Sequence, residues 1–499
     1  MRRTLLLGLT AAALAPAGAA AQCATAGESC IDTLALRAHT RFLADDALLG
    51  RGAGTRGERI AALYIAAQLQ RLGLDPLGDD FLLPVPLVAA RVLPETRLTL
   101  HRTSDALVFR HGEDFLVNTG AGSAFRDFSG PAVFVGSPAN ALASLEATHV
   151  DGRVVVVTGT LGAAATRLVP AWRDAGAVGI LLLVPDAGQF DLFARSRGPD
   201  RFFVDAVVQD AVWQPELPVL IAGPSLVRAL LDGATLPAAA REDRPFHPVS
   251  LERTVAATIA VERRDVPAAN VAAVVTGADP ALRDELVLFT AHLDHLGIST
   301  PDATGDSIYN GFSDNAAGVA MVLAIARALR DDPPRRSVGF LFLTGEERGL
   351  LGASHYASHP ATPLARVAAV INLDAGAPPA PPASWRIAGG SASTAGEVAV
   401  EVAERHGWSA DLGDASPNSD YWPFLARGVP ALFVIPGPTW EGVSESEQEE
   451  LRRRWDRYHQ PGDHYDPLFP FAGLRRYAGF ALEIGLAIAN GDARPRITH

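Results

Sequence analysis

The sequence predicts an α/β protein built on a mostly parallel mixed sheet sandwiched by helices, and three observations predict it. Beyond Asn270, apolar runs of strand length alternate with segments of helical period, which is the pattern of a parallel sheet covered on both faces. The run Glu285–Thr290 is short and apolar enough to be a buried strand. Polar residues gather just past such runs: His292 and Asp294 after Glu285–Thr290, Glu346 and Glu347 after Ser337–Leu343, Asp374 after Val367–Leu373. In an open α/β sheet, ligands collect beyond the carboxyl ends of the strands, so residues far apart in sequence meet there.

The expected order is strand Glu285–Thr290, helix Asn315–Leu329, strand Ser337–Leu343, helix Leu350–Ser358 and strand Val367–Leu373. Helix Thr394–His406, strand Ala431–Ile435 and helix Gly473–Asn490 follow. The proline-rich stretch Ala377–Ala383 and the acidic stretch Glu441–Glu450 read as loop excursions. Earlier in the chain, Asp32–Leu43 and Glu58–Leu72 read as helices, the second core-facing and stopped by Gly73. The glycine-rich stretch Leu49–Gly57 between them is a turn, because no strand precedes it as a dinucleotide fingerprint demands. Segments between Phe81 and Phe115, such as Arg97–His101, suggest strands on the margin of the main domain.

Residues 119–248 form a self-contained series with strands Pro131–Val135, Arg153–Thr158, Gly179–Val184 and Leu217–Ile221 and helices Ala163–Ala175 and Leu226–Leu231. No cluster of His, Cys or carboxylates stands in it, so it reads as an inserted domain acting as a lid or substrate platform. The domain plan is therefore 1–21 as a signal peptide, 22–118 as the first part of the main domain, 119–248 as the insert and 249–499 as the remainder. A chain of 499 residues is long enough for two or three such units.

The formal charge of -13 argues against nucleic acid as a partner, since phosphate binding needs a basic stripe. Met1-Arg-Arg-Thr, the apolar core Leu5–Ala17 and the small-residue exit Ala19-Ala20-Ala21-Gln22 make a secretory signal with cleavage expected near Ala21. The expectation is an exported protein, periplasmic or extracellular, with no membrane span in the mature chain. Gln22 before Cys23 fits a lipoprotein signal poorly. The two cysteines, Cys23 and Cys30, are either a short-loop disulfide of the kind export favours or two free thiols.

A histidine or a Glu-Glu pair alone means little. Here His292, Asp314, Glu346, Glu347, Asp374 and the pair Tyr458-His459 all fall at strand exits or in loops. Imidazole and carboxylate without thiolate suit zinc in a hydrolytic site. Two His and three carboxylates, one Asp bridging, make an inventory for two metals about 3.5–4 Å apart with a water between them. Asp294, two residues past His292 in an extended segment, points to the same face and is placed to accept the imidazole's second N–H. His295 alternates to the other face and reads as structural.

The motifs Ala291-His-Leu-Asp-His-Leu-Gly297, Asn310-Gly-Phe-Ser-Asp-Asn-Ala-Ala-Gly318, Thr344-Gly-Glu-Glu-Arg-Gly-Leu-Leu-Gly352, Ile371-Asn-Leu-Asp374 and Tyr458-His459 resemble those of the M28 family of zinc peptidases. The likeness extends to Leu43–Arg51, and the insert resembles the protease-associated domain that many members carry. The resemblance implies a zinc-aminopeptidase fold, a peptide substrate and two Zn2+ ions. His292 and Asp374 would hold one ion, Glu347 and His459 the other, with Asp314 as bridge, Glu346 as general base and a cis peptide after Asp314. It also implies that Tyr458 could polarise the scissile carbonyl. Ser419-Asp420-Tyr421 departs from the Ser-Asp-His of many relatives, which puts substrate contacts there in doubt. The activity expected is removal of N-terminal residues. The alternatives are a carboxypeptidase or other amide hydrolase using a cation such as Arg51, Arg195 or Arg427, a single-metal cyclase, and a non-catalytic receptor on the same scaffold.

Overall fold

A computed structural model describes residues 23, 25–118, 124–144, 149–196, 200–204, 217–234 and 247–498. The expected signal segment 1–21 lies outside the described residues, as do parts of the insert.

The main sheet is mixed and ten-stranded. At its centre Ser337–Leu343, Leu286–His292, Val367–Asn372 and Ala431–Pro436 run parallel to their neighbours. Antiparallel pairings flank them, Val261–Val275 on Ser337–Leu343 and Ser384–Ala388 on Ala431–Pro436. The central strand is apolar throughout because both its faces are covered. Val287, Phe289 and Ala291 enter one core with helices Thr33–Leu43, Arg56–Arg71, Ala317–Leu329 and Ala472–Asn490. Leu286 and Leu288 enter the other, with Tyr356 of helix Leu351–Ser358 and Phe424 of the short helix Trp422–Leu425. Helix Ala472–Asn490 lies so close that a Cβ on Gly485 would stand 2.3 Å from the Phe289 ring. Phe312–Leu329 is long and apolar enough to cross a membrane by composition, yet 83% of that window is buried inside the fold.

The long strands Leu82–Val92 and Val261–Val275 pair antiparallel from Val92↔Val261 to Leu82↔Val271. The chain leaves the main sheet through one strand of this ribbon and returns through the other. Between them lies a second, eight-stranded sheet with cores of its own. Arg97–His101, Ala106–Arg110 and Phe115–Val117, expected on the margin of the main domain, belong to that second sheet, as does Val249–Thr258. It therefore reaches beyond 119–248 on both sides. Alternation identified these strands but carries no information about which sheet they join. Asp200–Val204 pairs back onto Leu82–Val92, giving the main sheet an edge strand from the insert.

Cys23 and Cys30 form a disulfide. One loop expectation is corrected. Within the acidic stretch, Glu445–Trp455 is an α-helix opened by a capping box of Ser444 and Glu447. It buries no residue, so the apolar stripe that normally reveals a helix is missing.

Candidate metal centre

Three neighbouring parallel strands deliver the site at their carboxyl ends. His292 is the last residue of Leu286–His292, Ser337–Leu343 leads through Thr344 and Gly345 to Glu346 and Glu347, and Val367–Asn372 leads to Asp374. Asp314 sits in the turn Phe312–Ala316 ahead of the buried helix, and the Asp314–Asn315 peptide is cis. His459 comes from a loop, at φ 54°.

These side chains converge. His292 Nε2 lies 2.7 Å from Asp374 Oδ1 and 3.0 Å from Asp314 Oδ1. His459 Nε2 lies 3.1 Å from Asp314 Oδ2 and 3.3 Å from Glu347 Oε2. Asp314 thus turns one oxygen to each half of the cluster. Two groups result, His292–Asp314–Asp374 and His295–Asp314–Glu347–His459, each with ligand atoms within 4.8 Å of one another.

Protonation follows from this crowding. Burial disfavours charge on His292, but Asp374, Glu346 and Asp314 outweigh it and raise its pKa well above the usual value. His459 is raised to about 10, its burial overcome by Asp314 and Glu347. Glu347 falls to about 2, its burial outweighed by His295 and His459. Asp314 is likewise lowered against its burial by the same kind of contact with His292 and His459. Glu346 goes the other way. Burial pushes it up, His292 opposes, and the carboxylates Asp374, Asp420 and Glu347 push it further.

The donor set fits zinc. It offers imidazole nitrogens and carboxylate oxygens with no thiolate, and His459 Nε2 is buried, aimed between Asp314 and Glu347, without a properly formed hydrogen bond to either. A buried polar atom left without a partner is costly, and a cation between these groups would satisfy it.

Two sequence expectations change. Asp294 does not take the second N–H of His292 on its carboxylate. The backbone carbonyl does so at 3.1 Å, while Asp294 Oδ1 stands 3.8 Å off and accepts from the backbone N–H of Glu346 at 3.1 Å. His295 is not turned away, for its Nδ1 lies 2.6 Å from Glu347 Oε1. The regular strand ends at His292, so the alternation that assigned both residues no longer governs them.

Tyr458 is 62% exposed and stacks on His459 with ring centroids 3.8 Å apart. Tyr421 is buried, and its hydroxyl donates to the Ser416 carbonyl, so it is a core residue. Of the cations considered for a substrate carboxylate, Arg51 is buried among backbone carbonyls. Arg427 donates to Pro423 O and Ser358 Oγ, and the Arg195 side chain lies outside the described residues.

Supporting residues escaped the sequence. Ser419 donates to the second oxygen of Asp374 and is itself held by Asn372 Nδ2 at 2.7 Å, with Thr290 donating to Asn372. Asp463 accepts from Ser313 N, Ser313 Oγ and Asp314 N, fixing the loop that carries Asp314. Glu58, buried on its helix, accepts from Thr344 Oγ1 and Gly54 N beneath the glutamate pair. Only His295, directly after Asp294 and three residues past His292, carried a local signal. Beside the cluster, a cavity of about 640 Å³ has Asp314 and Asp374 on its wall together with Pro378, Trp440, Leu451, Trp455 and Tyr458.

Residues 270–480 match the model of peptidase family M28. This stretch, less than half of the chain, is similar to that family. The M28 segment contains every member of the cluster, from His292 to His459. Among curated proteins, "probable leucine aminopeptidase 2" of Aspergillus oryzae is 31% identical over 214 residues, 41% of this chain and 39% of that protein. "Aminopeptidase YwaD" of Bacillus subtilis is 29% identical over 188 residues, 36% of either chain. The matches thus span well under half the length of these relatives. Among solved structures, "Aminopeptidase from Aneurinibacillus sp. strain AM-1" shares the fold over 93% of this chain and 95% of its own, with a TM-score of 0.57 at 17% identity.

Proposed function

We propose that this chain is an exported di-zinc aminopeptidase. The observation that carries the proposal is the sharing of Asp314 between two groups of ligand atoms, with the carboxyl of Glu346 beside them. The names of the M28 relatives as aminopeptidases support it. In this reading His292 and Asp374 would hold one ion, Glu347 and His459 the other, and Asp314 would serve both. Bound there, a pair of zinc ions would supply an acidified water and a Lewis acid for the scissile carbonyl.

The protein's own groups do the rest. Glu346, anchored through its backbone N–H on Asp294, takes the proton of the attacking water and returns it to the leaving amine. Its buried setting among carboxylates keeps it basic enough for that task. The cavity walled by Trp440, Leu451 and Trp455 receives the N-terminal side chain, and Tyr458 at its edge is placed to contact the carbonyl. The second sheet, whose described residues contribute nothing to the cluster, serves as a protease-associated-type platform.

One observation favours a second reading. Arg452 also lines the cavity and could meet a substrate carboxylate, as a carboxypeptidase would require. A panel of aminoacyl anilides and C-terminally acidic dipeptides, assayed before and after chelation, decides between them. Chelator-sensitive turnover of the anilides is expected. Turnover confined to the acidic dipeptides would replace the aminopeptidase reading, and activity untouched by chelation would remove the zinc.

A further inference from the structure

Two arginines are among the largest fully buried side chains, Arg51 and Arg336, and they lie at opposite ends of the main sheet. Arg336 pairs with Glu285 at 2.5 Å and donates to the carbonyls of Ile488 and Gly491 at the end remote from the cluster. Arg51 has no carboxylate partner among the described residues. Its guanidinium is spent on four backbone carbonyls: Nε donates to Leu293 at 3.0 Å, Nη1 to Asn310 at 2.6 Å and to Leu43, and Nη2 to Gly311 at 3.0 Å.

Those carbonyls are not arbitrary. Leu293 lies between His292 and Asp294, and Asn310-Gly311 opens the turn that carries Asp314. The backbone carbonyl of Arg51 in turn accepts the N–H of His295 at 3.1 Å. To reach this position Leu49, Gly50 and Arg51 all adopt positive φ, rare for the two side-chain-bearing residues. At Gly50 a Cβ would stand 2.4 Å from the Tyr309 carbonyl and 2.5 Å from that of Gly297. Burial lowers the Arg51 pKa to about 10, while Asp294, Asp314, Asp463 and Glu347 favour its charge.

We infer that Arg51 is a positioning residue of the metal centre, its guanidinium clamping the loop of His292, Asp294 and His295 against the loop of Asp314. The inference rests on the reading that this cluster binds zinc. The planar fork suits the task because it directs donors from three nitrogens towards fixed carbonyls. A lysine keeps the charge but gathers its donors on one atom and cannot span the same four oxygens.

The test uses the full chain as wild type, Arg51→Lys, and Arg336→Lys as a buried arginine remote from the cluster. Zinc content and affinity are measured by chelator competition, and melting temperature with and without zinc. Arg51→Lys should weaken zinc binding about tenfold or more and shrink the zinc-induced rise in melting temperature. Arg336→Lys should lower both melting temperatures alike and leave zinc affinity unchanged. Should Arg51→Lys not fold, Asn310→Ala loosens the same junction more gently, because its Nδ2 donates to Ala44 O and Asp46 Oδ1. It should still weaken zinc binding measurably. Wild-type zinc affinity in a less stable Arg51→Lys, or in Asn310→Ala, overturns the inference alone. A wild-type chain that takes up no zinc overturns the metal reading and this inference together.

Discussion

The two halves of the cluster are built differently. On one side His292 and Asp374 stand at or just past the ends of adjacent strands, with side chains only 1% and 8% exposed. Asp374 is steadied from behind by the relay Thr290–Asn372–Ser419. On the other side Glu347 also follows a strand, but its partner His459 comes from a loop and is 36% exposed. His295 bolsters Glu347 there in place of a hydroxyl relay. A half set by the sheet is preorganised, whereas a half completed by a loop depends on that loop staying in place.

The largest effect tests the element the two halves share a purpose with. Glu346→Gln should keep both ions and lose about 10²–10⁴-fold in kcat. Near wild-type turnover would move the general base elsewhere. Next, His459→Ala should cut the zinc retained after dialysis from about two ions to about one, leaving the His292–Asp374 half filled. Loss of both ions would mean that the halves are not separable.

Smaller changes sharpen the contrast. Ser419→Ala should weaken zinc in the strand-built half by about tenfold, and His295→Asn should do the same in the other, as expected for groups that orient ligands. Chelator competition reads both, and equal affinities in variant and wild type would reduce the two residues to packing.

The smallest effect is a proton count. His292 and His459 both hold raised pKa values in the metal-free protein, His459 at about 10. Both are therefore protonated at pH 7, and zinc must displace those protons. Calorimetry in buffers of different ionisation enthalpy should report release of about two protons, with apparent affinity rising from pH 6 to pH 8. Buffer-independent enthalpy would contradict the assigned protonation.

The strand-delivered residues of both halves were the legible ones. Continuous apolar runs followed by His292, Glu346-Glu347 and Asp374 mark strand exits, and parallel topology brings such exits together, so their convergence followed from pattern alone. His459 was a candidate by residue type, and only its likeness to a family motif assigned it to an ion, since nothing in a loop's periodicity says where it returns. His295 and the carboxylate of Asp294 were misplaced because alternation was carried past the last strand residue. Ser419, Asp463, Glu58 and Arg51 act through hydrogen bonds that tie separate segments together, and such side chains leave no periodic trace. The second sheet's limits were missed for a related reason, as Arg97–His101 has the same alternation whichever sheet it joins.

The central claim is that Asp314 is shared by two zinc ions. Anomalous diffraction at the zinc edge from zinc-loaded crystals tests it directly. The expected result is two peaks about 3.5–4 Å apart, one beside His292 and Asp374, one beside Glu347 and His459, with an oxygen of Asp314 on each. A single peak, or two peaks that do not both touch Asp314, would contradict it.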